Sequence, residues 1–345
     1  APAPGSNPER TVAIALDAVP YEAFSELQAE GLFSQFFPAA RMIAPFPSLT
    51  NLGYTTIFKT ALPLGYEDHY YDRETGRIRG GMSDRLFNRY KNVAPFHEVF
   101  SWEPHHLWGA VIYYFPGRIS RLELQRIEEM LHTSDEKELV LYFGGTDPLG
   151  HMRGWEGLTD YLRLVDEMLT GFLAAGGANR RVVLFSDHGM SEVSSRPVDL
   201  KSSLKEAGFK LKKSLDGPGD VVAPAYGLVG SIQLYTMCDE EEAVARAVVQ
   251  AEGVDFAVWR EGKEIGAVSH DDRIDPLDLP AAEYPDLRHR IEAAFRGHTA
   301  NPANVYVSLK DGWHWGSGLF ELLVNIKGTH GSARDTSTLG FVASN

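Results

Sequence analysis

The chain has 345 residues, of which 43% are apolar and 23% are charged, as in an ordinary globular protein. Its net charge is −14, which argues against binding to nucleic-acid polymers or to anionic membrane surfaces. The sequence contains no apolar run as long as a membrane span, and its single cysteine, Cys238, excludes an internal disulfide. It starts at Ala1 without a methionine, so we expect a mature terminus of a periplasmic or secreted protein, with a cytoplasmic protein or an expressed fragment as alternatives.

The first predicted element is a buried strand over residues 11–16 (TVAIAL), and Asp17 follows it directly. Asp17 could cap the helix that the sequence predicts after Pro20, and taken alone this role is favoured. However, ligands in open α/β sheets bind outside the carboxyl ends of the strands, which is where Asp17 stands. A capping role and a ligand role are therefore both open for Asp17.

Thr50 is the next candidate, at the point where a loop after a predicted short strand (residues 41–46) passes into a predicted helix. Free backbone N–H groups at a helix start favour an anion, so a hydroxyl group there can cap the helix or attack a bound ester. In isolation the capping role is favoured, and other residues must decide between the two.

Two later strands also end near an Asp. One covers residues 139–143 and leads into Asp147, with His151 four residues further on. We expect the loop there, which contains Pro and Gly, to fold both side chains onto one ion. The other strand leads into the adjacent pair Asp187 and His188, both good ligands for a divalent transition ion. The alternative for Asp187 is a cap in a solvated turn.

The composition of the chain changes after residue 191, where acidic residues and segments rich in Gly and Pro become frequent. We predict that residues 192–305 form an inserted cap, and that residues 1–191 and 306–345 form a metal-binding α/β core. The elements predicted in the cap are a strand over residues 231–235, a helix over 240–252, a hairpin over 256–268 and a helix over 282–296.

Three strand-end carboxylates and three histidines supply the ligands that two divalent ions about 4 Å apart require. One set is Asp17, Asp187, His188 and the hydroxyl oxygen of Thr50. The other set is Asp147, His151 and His330, which stands on a glycine-flanked loop. Mixed nitrogen and oxygen ligands favour Zn²⁺, with Mn²⁺ or Fe as alternatives. Coordination to a dication lowers the pKa of an alcohol, which would make Thr50 a nucleophile.

Five short motifs follow one another along nearly the whole chain: Leu16-Asp17, Thr50-Asn51, Asp147-x-x-Gly150-His151, Ser186-Asp187-His188-Gly189-Met190 and Gly328-Thr329-His330-Gly331. In this order they resemble the alkaline phosphatase superfamily, in particular its nucleotide pyrophosphatase/phosphodiesterase and phosphonoacetate hydrolase branch. The resemblance implies an α/β fold, with a central mixed β-sheet flanked by helices and an inserted α+β cap. It also implies two zinc ions held by the two ligand sets, and a Thr50 that becomes transiently phosphorylated.

The sequence departs from the family pattern at two places. Leu52-Gly53 stands where the family often has Pro-Asn. The family's phosphate-holding Asn is expected in a Gly-Ile-x-x-Asn-x-x-Tyr-Asp context, and the nearest stretch here is residues 65–72, where His69 can take its place. Asn51 and His69 are therefore the predicted substrate-binding residues. The surroundings of Cys238 do not match the Cys-x-Pro-x-Arg that the sulfatase branch requires.

We therefore expect a two-metal hydrolase of small-molecule phosphoesters. Diesters are favoured over monoesters because Lys59, the basic residue that follows Thr50 in sequence, lies about two and a half helical turns away. A second ester substituent could also stack on aromatic side chains, for which the candidates are Tyr54, Tyr70 and Tyr71. The arginines that could instead fold into the site are Arg73, Arg77 and Arg118. Phosphomonoesterase, phosphonate hydrolase and phosphoryl transferase remain alternatives, and a metal-binding protein without turnover is less favoured.

Overall fold

The computed structural model describes residues 10–81, 90–104, 113–176, 180–225, 227–237, 239–270, 275–318 and 325–345. Its strands are β1 (Arg10–Leu16), β2 (Ala40–Ile43), β3 (His69–Asp72), β4 (Arg77–Gly80), β5 (Glu138–Phe143), β6 (Arg180–Phe185), β7 (Arg196–Pro197), β8 (Lys210–Lys212), β9 (Asp220–Val222), β10 (Leu228–Val229), β11 (Ser231–Thr236), β12 (Val254–Glu261), β13 (Glu264–Ser269), β14 (Val305–Leu309), β15 (Trp313–Gly316) and β16 (Leu339–Ser344). Its α-helices are α1 (Tyr21–Ala29), α2 (Thr50–Phe58), α3 (Tyr90–Val93), α4 (Pro116–Thr133), α5 (Thr146–Gly176), α6 (Leu200–Glu206), α7 (Glu241–Val248), α8 (Leu287–Gly297) and α9 (Asp335–Thr338). Short 3₁₀-helices cover Pro95–Glu98 and Pro276–Asp278.

The central sheet has the strand order β2-β16-β6-β1-β5. Strand β1 pairs in parallel with β5 on one side and with β6 on the other. Strand β16 is antiparallel to both β6 and β2, so the sheet is mixed, as predicted. The three parallel strands are those that the sequence shows leading into an Asp. Because they lie side by side and point the same way, their carboxyl ends meet at one edge of the sheet.

Helices cover both faces of this sheet, which explains why its strands read as apolar runs rather than as alternating patterns. On one face, Val12, Ile14 and Leu16 of β1 pack in a common core with α1, α4 and α5. On the other face, Ala15 packs with Tyr54 of α2 and with aromatic side chains around it. Helix α2 is thereby held against the same sheet that supplies the strand-end carboxylates.

A second sheet of the order β13-β12-β14-β11-β9-β8 lies in the later part of the chain. The predicted hairpin is confirmed by the antiparallel pairing of β12 with β13. Strand β14 lies between β12 and β11 in this sheet, although the prediction assigned residues 306–345 to the core. The difference arises because β14 is buried in every residue, and a fully buried strand does not reveal from sequence which sheet it joins.

The second sheet packs against the segment that carries Thr50. Phe46, Leu49 and Leu52 share a buried cluster with Phe256 of β12 and with helix α8. Helix α8 begins later than the predicted 282–296, and α7 ends earlier than the predicted 240–252. The sequence also predicts strands over residues 107–114 and 322–326, and both predictions lie partly outside the described residues. Among the helices that the structure describes, none is both long and apolar enough to span a bilayer.

Candidate active site

The candidate site lies at the edge of the central sheet where β1, β5 and β6 end. Asp17 follows β1, Asp187 lies two residues beyond β6, and Asp147 stands in the first turn of α5, which follows β5. All three carboxylates are buried. The structure therefore brings together the three acidic side chains that the sequence places at strand ends.

The first cluster of possible ligands consists of Asp17, Asp187 and His188, each offering one atom within 4.8 Å of the others. Thr50 adjoins this cluster: its Oγ1 lies 3.4 Å from Oδ1 of Asp17 and 3.2 Å from Nε2 of His188. The Nδ1 atom of His188 lies 2.9 Å from the carbonyl oxygen of Gly189. A proton on Nδ1 would satisfy that carbonyl and leave Nε2 as a lone-pair donor toward Thr50.

The second cluster consists of Asp147, His151 and His330, again with one atom each within 4.8 Å of the others. The Nε2 atoms of His151 and His330 lie 3.1 and 3.3 Å from Oδ1 of Asp147. The Nδ1 atoms of the two rings face backbone carbonyl oxygens, those of Gly328 at 2.8 Å and Ser48 at 3.1 Å. Such contacts fix the ring orientation in the way that metal-binding histidines require.

The predicted loop around Asp147 and His151 is instead the start of helix α5, with His151 in its second turn and Asp147 in its first. The two side chains lie on the same helix face because residues four apart are neighbours on a helix surface. Pro148 is compatible with this turn, since the backbone N–H that it lacks would have no partner at a helix start. Proline close behind a strand was a helix-start signal that the sequence contained.

The two clusters adjoin through a pair of stacked imidazoles. The rings of His188 and His330 have centroids 4.2 Å apart and planes inclined by only 19°. One ring belongs to each cluster, so the two clusters are in direct contact through these imidazoles.

The polar atoms in the clusters fit divalent cations. Oδ1 of Asp147 and Oδ2 of Asp187 are buried without a hydrogen-bond partner. Burial, together with the neighbouring Asp187 and Asp147, raises the pKa of Asp17 well above its usual range, and burial raises the pKa of Asp187 to about 7. At Asp147 burial acts in the same direction, but His151 and His330 outweigh it and hold the pKa well below its usual range. Buried carboxylates crowded together in this way, with two oxygens that have no hydrogen-bond partner, are costly unless a cation lies between them.

Gly53 explains one departure from the family pattern. A Cβ atom on this helical residue would lie 2.7 Å from Cβ of Asp187 and 3.1 Å from its Oδ2. Only a glycine lets helix α2 approach the first cluster so closely. Thr50, which stands one helical turn earlier, depends on this approach for its distance to Asp17 and His188.

A cavity opens in front of both clusters, and Thr50 and Asn51 line it. The lining also contains residues that sequence reasoning missed, namely Tyr66, Glu67, Asp68, Phe96, His97, Tyr113 and Tyr142. None of the described lining residues is a lysine or an arginine.

Two of the missed residues form hydrogen bonds to predicted metal ligands. The hydroxyl group of Tyr113 donates a hydrogen bond to Oδ2 of Asp147 at 2.9 Å, and that of Tyr142 donates to Oδ2 of Asp17. Tyr142 stands in β5 beside the end of β1, so its strand position was a usable signal. Tyr113 carried no signal, because its approach to Asp147 depends on tertiary packing.

His69 and the predicted stacking residues lie elsewhere. His69 is in β3, where its Nδ1 is 3.2 Å from the carbonyl oxygen of Ala225, and it is not among the described lining residues. Tyr54 is buried behind the site, and Tyr71 packs on Tyr235 with ring centroids 4.8 Å apart. The guanidinium group of Arg73 donates instead to the carbonyl of Pro302 at 2.8 Å. Asn51 is the predicted substrate-binding residue that does reach the cavity.

Comparison with known proteins places the chain in a family. The model of the family described as type I phosphodiesterase/nucleotide pyrophosphatase matches residues 65–332. The chain belongs to this family. The matched residues include the second cluster and the Asp187-His188 pair, whereas Asp17 and Thr50 precede them.

Solved structures of the same fold include other phosphoester and phosphonate enzymes. Murine ectonucleotide pyrophosphatase/phosphodiesterase 5 is 12% identical, with a TM-score of 0.56 over 97% of this chain and 88% of that one. Its inactive threonine-to-alanine variant in complex with AMP is 12% identical, with a TM-score of 0.57 over 98% and 88%. Phosphonoacetate hydrolase from Sinorhizobium meliloti 1021, in complex with phosphonoformate, is 13% identical, with a TM-score of 0.59 over 97% and 90%.

A search of curated proteins finds no sequence that matches this chain. The family match indicates a phosphoester hydrolase of the alkaline phosphatase superfamily, and the solved structures show that the fold is shared. The type I phosphodiesterase/nucleotide pyrophosphatase family is metal-dependent, and the two Asp/His clusters of this member could each hold an ion.

Proposed function

We propose that the chain is a two-metal phosphodiesterase with Thr50 as its nucleophile. The observation that carries this proposal is the position of Thr50 Oγ1, within 3.2 Å of His188 and 3.4 Å of Asp17, in the first turn of a helix that faces the cavity. Free N–H groups at such a helix start favour an anionic phosphate in front of the hydroxyl group.

The proposed ligands are those of the two clusters. Asp17, Asp187, His188 and Thr50 would hold one ion, and Asp147, His151 and His330 would hold the other. Zinc is the favoured ion because the ligands are mixed nitrogen and oxygen donors, while manganese or iron could compete. When bound, the cations would supply positive charge that lowers the pKa of the Thr50 hydroxyl group and stabilises charge developing on the phosphate.

The chain's own residues bind, orient and react. Oγ1 of Thr50 would form a bond to phosphorus while the bond from phosphorus to the leaving ester oxygen breaks; that oxygen leaves with the electron pair and takes up, through solvent, the proton that the Thr50 hydroxyl group gives up. Water then cleaves the phosphothreonine and regenerates the hydroxyl group. Asn51, next to the nucleophile and in the cavity lining, would donate its amide to a phosphate oxygen. Tyr142 and Tyr113 orient the carboxylates of Asp17 and Asp147 through their hydroxyl groups.

A diester is the favoured substrate because of the charge of the cavity. A monoester dianion carries an additional charge, and sites that recognise it commonly add an arginine or a lysine. The described cavity lining offers neither, and it contains Glu67 and Asp68 instead. Tyr66, Phe96 and Tyr113 offer aromatic surface to a second substituent. The AMP bound to the inactive threonine-to-alanine variant of the murine enzyme supports both the threonine and a small phosphoester ligand.

We also propose that the inserted cap extends beyond residue 305. Strand β14 completes the second sheet, and β15 pairs with β7 and β10, so the boundary with the core would follow residue 316.

The deciding experiment compares kcat/KM for bis-p-nitrophenyl phosphate and p-nitrophenyl phosphate on one zinc-replete sample. We expect a ratio that clearly favours the diester, and loss of both activities after chelation. Phosphonoacetate is a further substrate to assay, because a phosphonoacetate hydrolase shares the fold. A ratio that favours the monoester would overturn the diesterase proposal and leave the metal and Thr50 proposals standing.

A further inference from the structure

Arg290 is a buried arginine that lies outside the cavity, on helix α8 of the inserted region. Its guanidinium group donates to backbone carbonyl oxygens and to one hydroxyl group. Nε donates to Ala44 at 2.8 Å, and Nη1 donates to Ala333 at 3.0 Å and to Pro285 at 3.2 Å. Nη2 donates to Oγ of Ser48 at 3.0 Å. No carboxylate among the described residues lies within ion-pair distance of it, so its contacts are with loops rather than with a counter-ion.

Two of these loops carry residues of the candidate site. Ala44 and Ser48 belong to the segment that leads into Thr50. Ala333 lies three residues after His330. One guanidinium group therefore holds the segment before the proposed nucleophile and the segment after a proposed metal ligand at the same time.

The two loops also contact each other at Ser48. Its N–H donates to the carbonyl of Gly331 at 3.3 Å, and its Oγ donates to the carbonyl of Ser332 at 3.1 Å. Its own carbonyl oxygen accepts from Nδ1 of His330 at 3.1 Å, which sets the orientation of that ring. Arg290 fixes the position of Ser48 through the hydrogen bond to its Oγ. Because Ser48 contacts His330 and precedes Thr50 by two residues, Arg290 influences the positions of both side chains through this one residue.

We propose that Arg290 is a positioning residue that fixes the distance between Thr50 and His330 of the second cluster. This proposal rests on the function proposed above. The guanidinium is suited to the role because its five N–H groups point in fixed directions within one plane. A lysine offers a single ammonium on a flexible stem and cannot reach four acceptors in this arrangement.

Replacement by methionine removes every donor and keeps much of the side-chain volume. For Arg290→Met we expect kcat for the diester to fall on the order of 10²-fold with KM nearly unchanged, because misplacing a reacting group by about 1 Å costs that much. We also expect weaker zinc binding at one of the two sites, by about 10- to 100-fold, as is typical when a contact that orients a metal ligand is lost. Arg290→Lys should recover part of both losses.

Arg334 provides a matched control. It is a half-buried arginine in the same loop as Ala333, but its guanidinium binds Asp255 at 3.1 Å rather than Ser48. Arg334→Met should leave kcat and zinc binding close to wild type. A second variant, Ser48→Ala, removes the acceptor of Nη2, and should reproduce the loss of kcat on a smaller scale.

The experiment measures kcat, KM, zinc affinity by calorimetry and hydrogen exchange of the Ser48 amide. The Arg290→Met protein should show faster exchange of the Ser48 amide than either wild type or Arg334→Met, whether or not the enzyme turns over a diester. If the wild-type protein shows no turnover of a diester, the proposed function is refuted. The exchange of the Ser48 amide still tests whether Arg290 holds this segment in place. The positioning role would be overturned if the Arg290→Met protein had the same kcat, zinc affinity and Ser48 exchange as the wild type. It would also be overturned if Arg334→Met lost kcat and zinc affinity to the same extent. If Arg290→Met fails to fold, Arg290→Lys and Ser48→Ala must show the selective loss of kcat, and its absence there refutes the proposal.

Discussion

Substitution of Gly53 by alanine tests how closely helix α2 must approach the first cluster. The added methyl carbon would lie 2.7 Å from Cβ of Asp187 and 3.2 Å from its carbonyl oxygen. Ordinary contacts between carbon atoms are about 3.5–4.0 Å, so the helix and Asp187 must separate by about 1 Å. Thr50 stands in the same helix and would move with it. We expect kcat for a diester to fall on the order of 10²-fold.

The same substitution should change stability far less than activity. Overpacking a core costs about 1–3 kcal/mol, while exchanging glycine for alanine inside a helix returns about 1 kcal/mol. The net loss of about 0–2 kcal/mol leaves a protein of this size folded. Activity is measured on zinc-replete protein, and the thermal unfolding midpoint is measured on the same samples.

Gly171→Ala is the matched control, because it adds a methyl group to helix α5 where no atom other than its chain neighbours and the adjacent helix backbone lies within 4 Å. We expect full activity and unchanged or slightly higher stability from it. A Gly53→Ala protein with wild-type kcat would refute the reasoning, since it would show that the distance between α2 and Asp187 does not control the proposed nucleophile.

Three further predictions concern Thr50, the proposed metal ligands and Glu123. Thr50→Ala should keep the fold and the metals but lose turnover by several orders of magnitude, while Thr50→Ser should keep part of the turnover. A near-normal rate in the alanine variant would mean that water attacks phosphorus directly. Zinc-replete protein should contain two ions per chain by elemental analysis, and fewer than one ion in the wild type would contradict the two-metal proposal. His330→Ala should weaken zinc binding at one site while the other site stays largely filled. Burial raises the pKa of Glu123 from 4.5 to about 8, so the folded state holds a proton there that the unfolded chain releases, and this contribution to stability is lost as pH rises from about 4.5 to 8. Glu123→Gln should flatten the fall of the unfolding midpoint across that window, and an unchanged pH profile would contradict this assignment.

Strand ends were the part of the site that sequence could predict. A buried strand is recognisable as a short apolar run, and the residue after it must lie at the edge of its sheet. Asp17, Asp147 and Asp187 could therefore be expected at one edge, and the structure places them there. The order of the motifs supplied His330, whose loop carries no periodic pattern.

The cavity wall was less predictable, because it is assembled from segments that meet only in the folded chain. Tyr113 reaches the cavity from the segment before α4, and the adjacent Tyr66 and Glu67 reach it from the segment before β3; none of the three stands at a strand end. The prediction for His69 relied on spacing along one segment, and the structure turns that residue toward Ala225. Short-range patterns report which face a side chain occupies, and they do not report which distant segment covers it.

The antiparallel strand β16 has a consequence for folding. Strand β2, which leads into the segment of Thr50, joins the described central sheet only through β16, from the opposite end of the sequence. Closing this loop costs more entropy than closing the shorter loops that join β1 to β5 and to β6, and it is expected to be slower. The three strands that lead into the carboxylates can assemble earlier, because they pair directly with one another. Refolding should therefore bring the three strand-end carboxylates together first and add the Thr50 segment last, so that these proposed cation ligands assemble before the proposed nucleophile arrives.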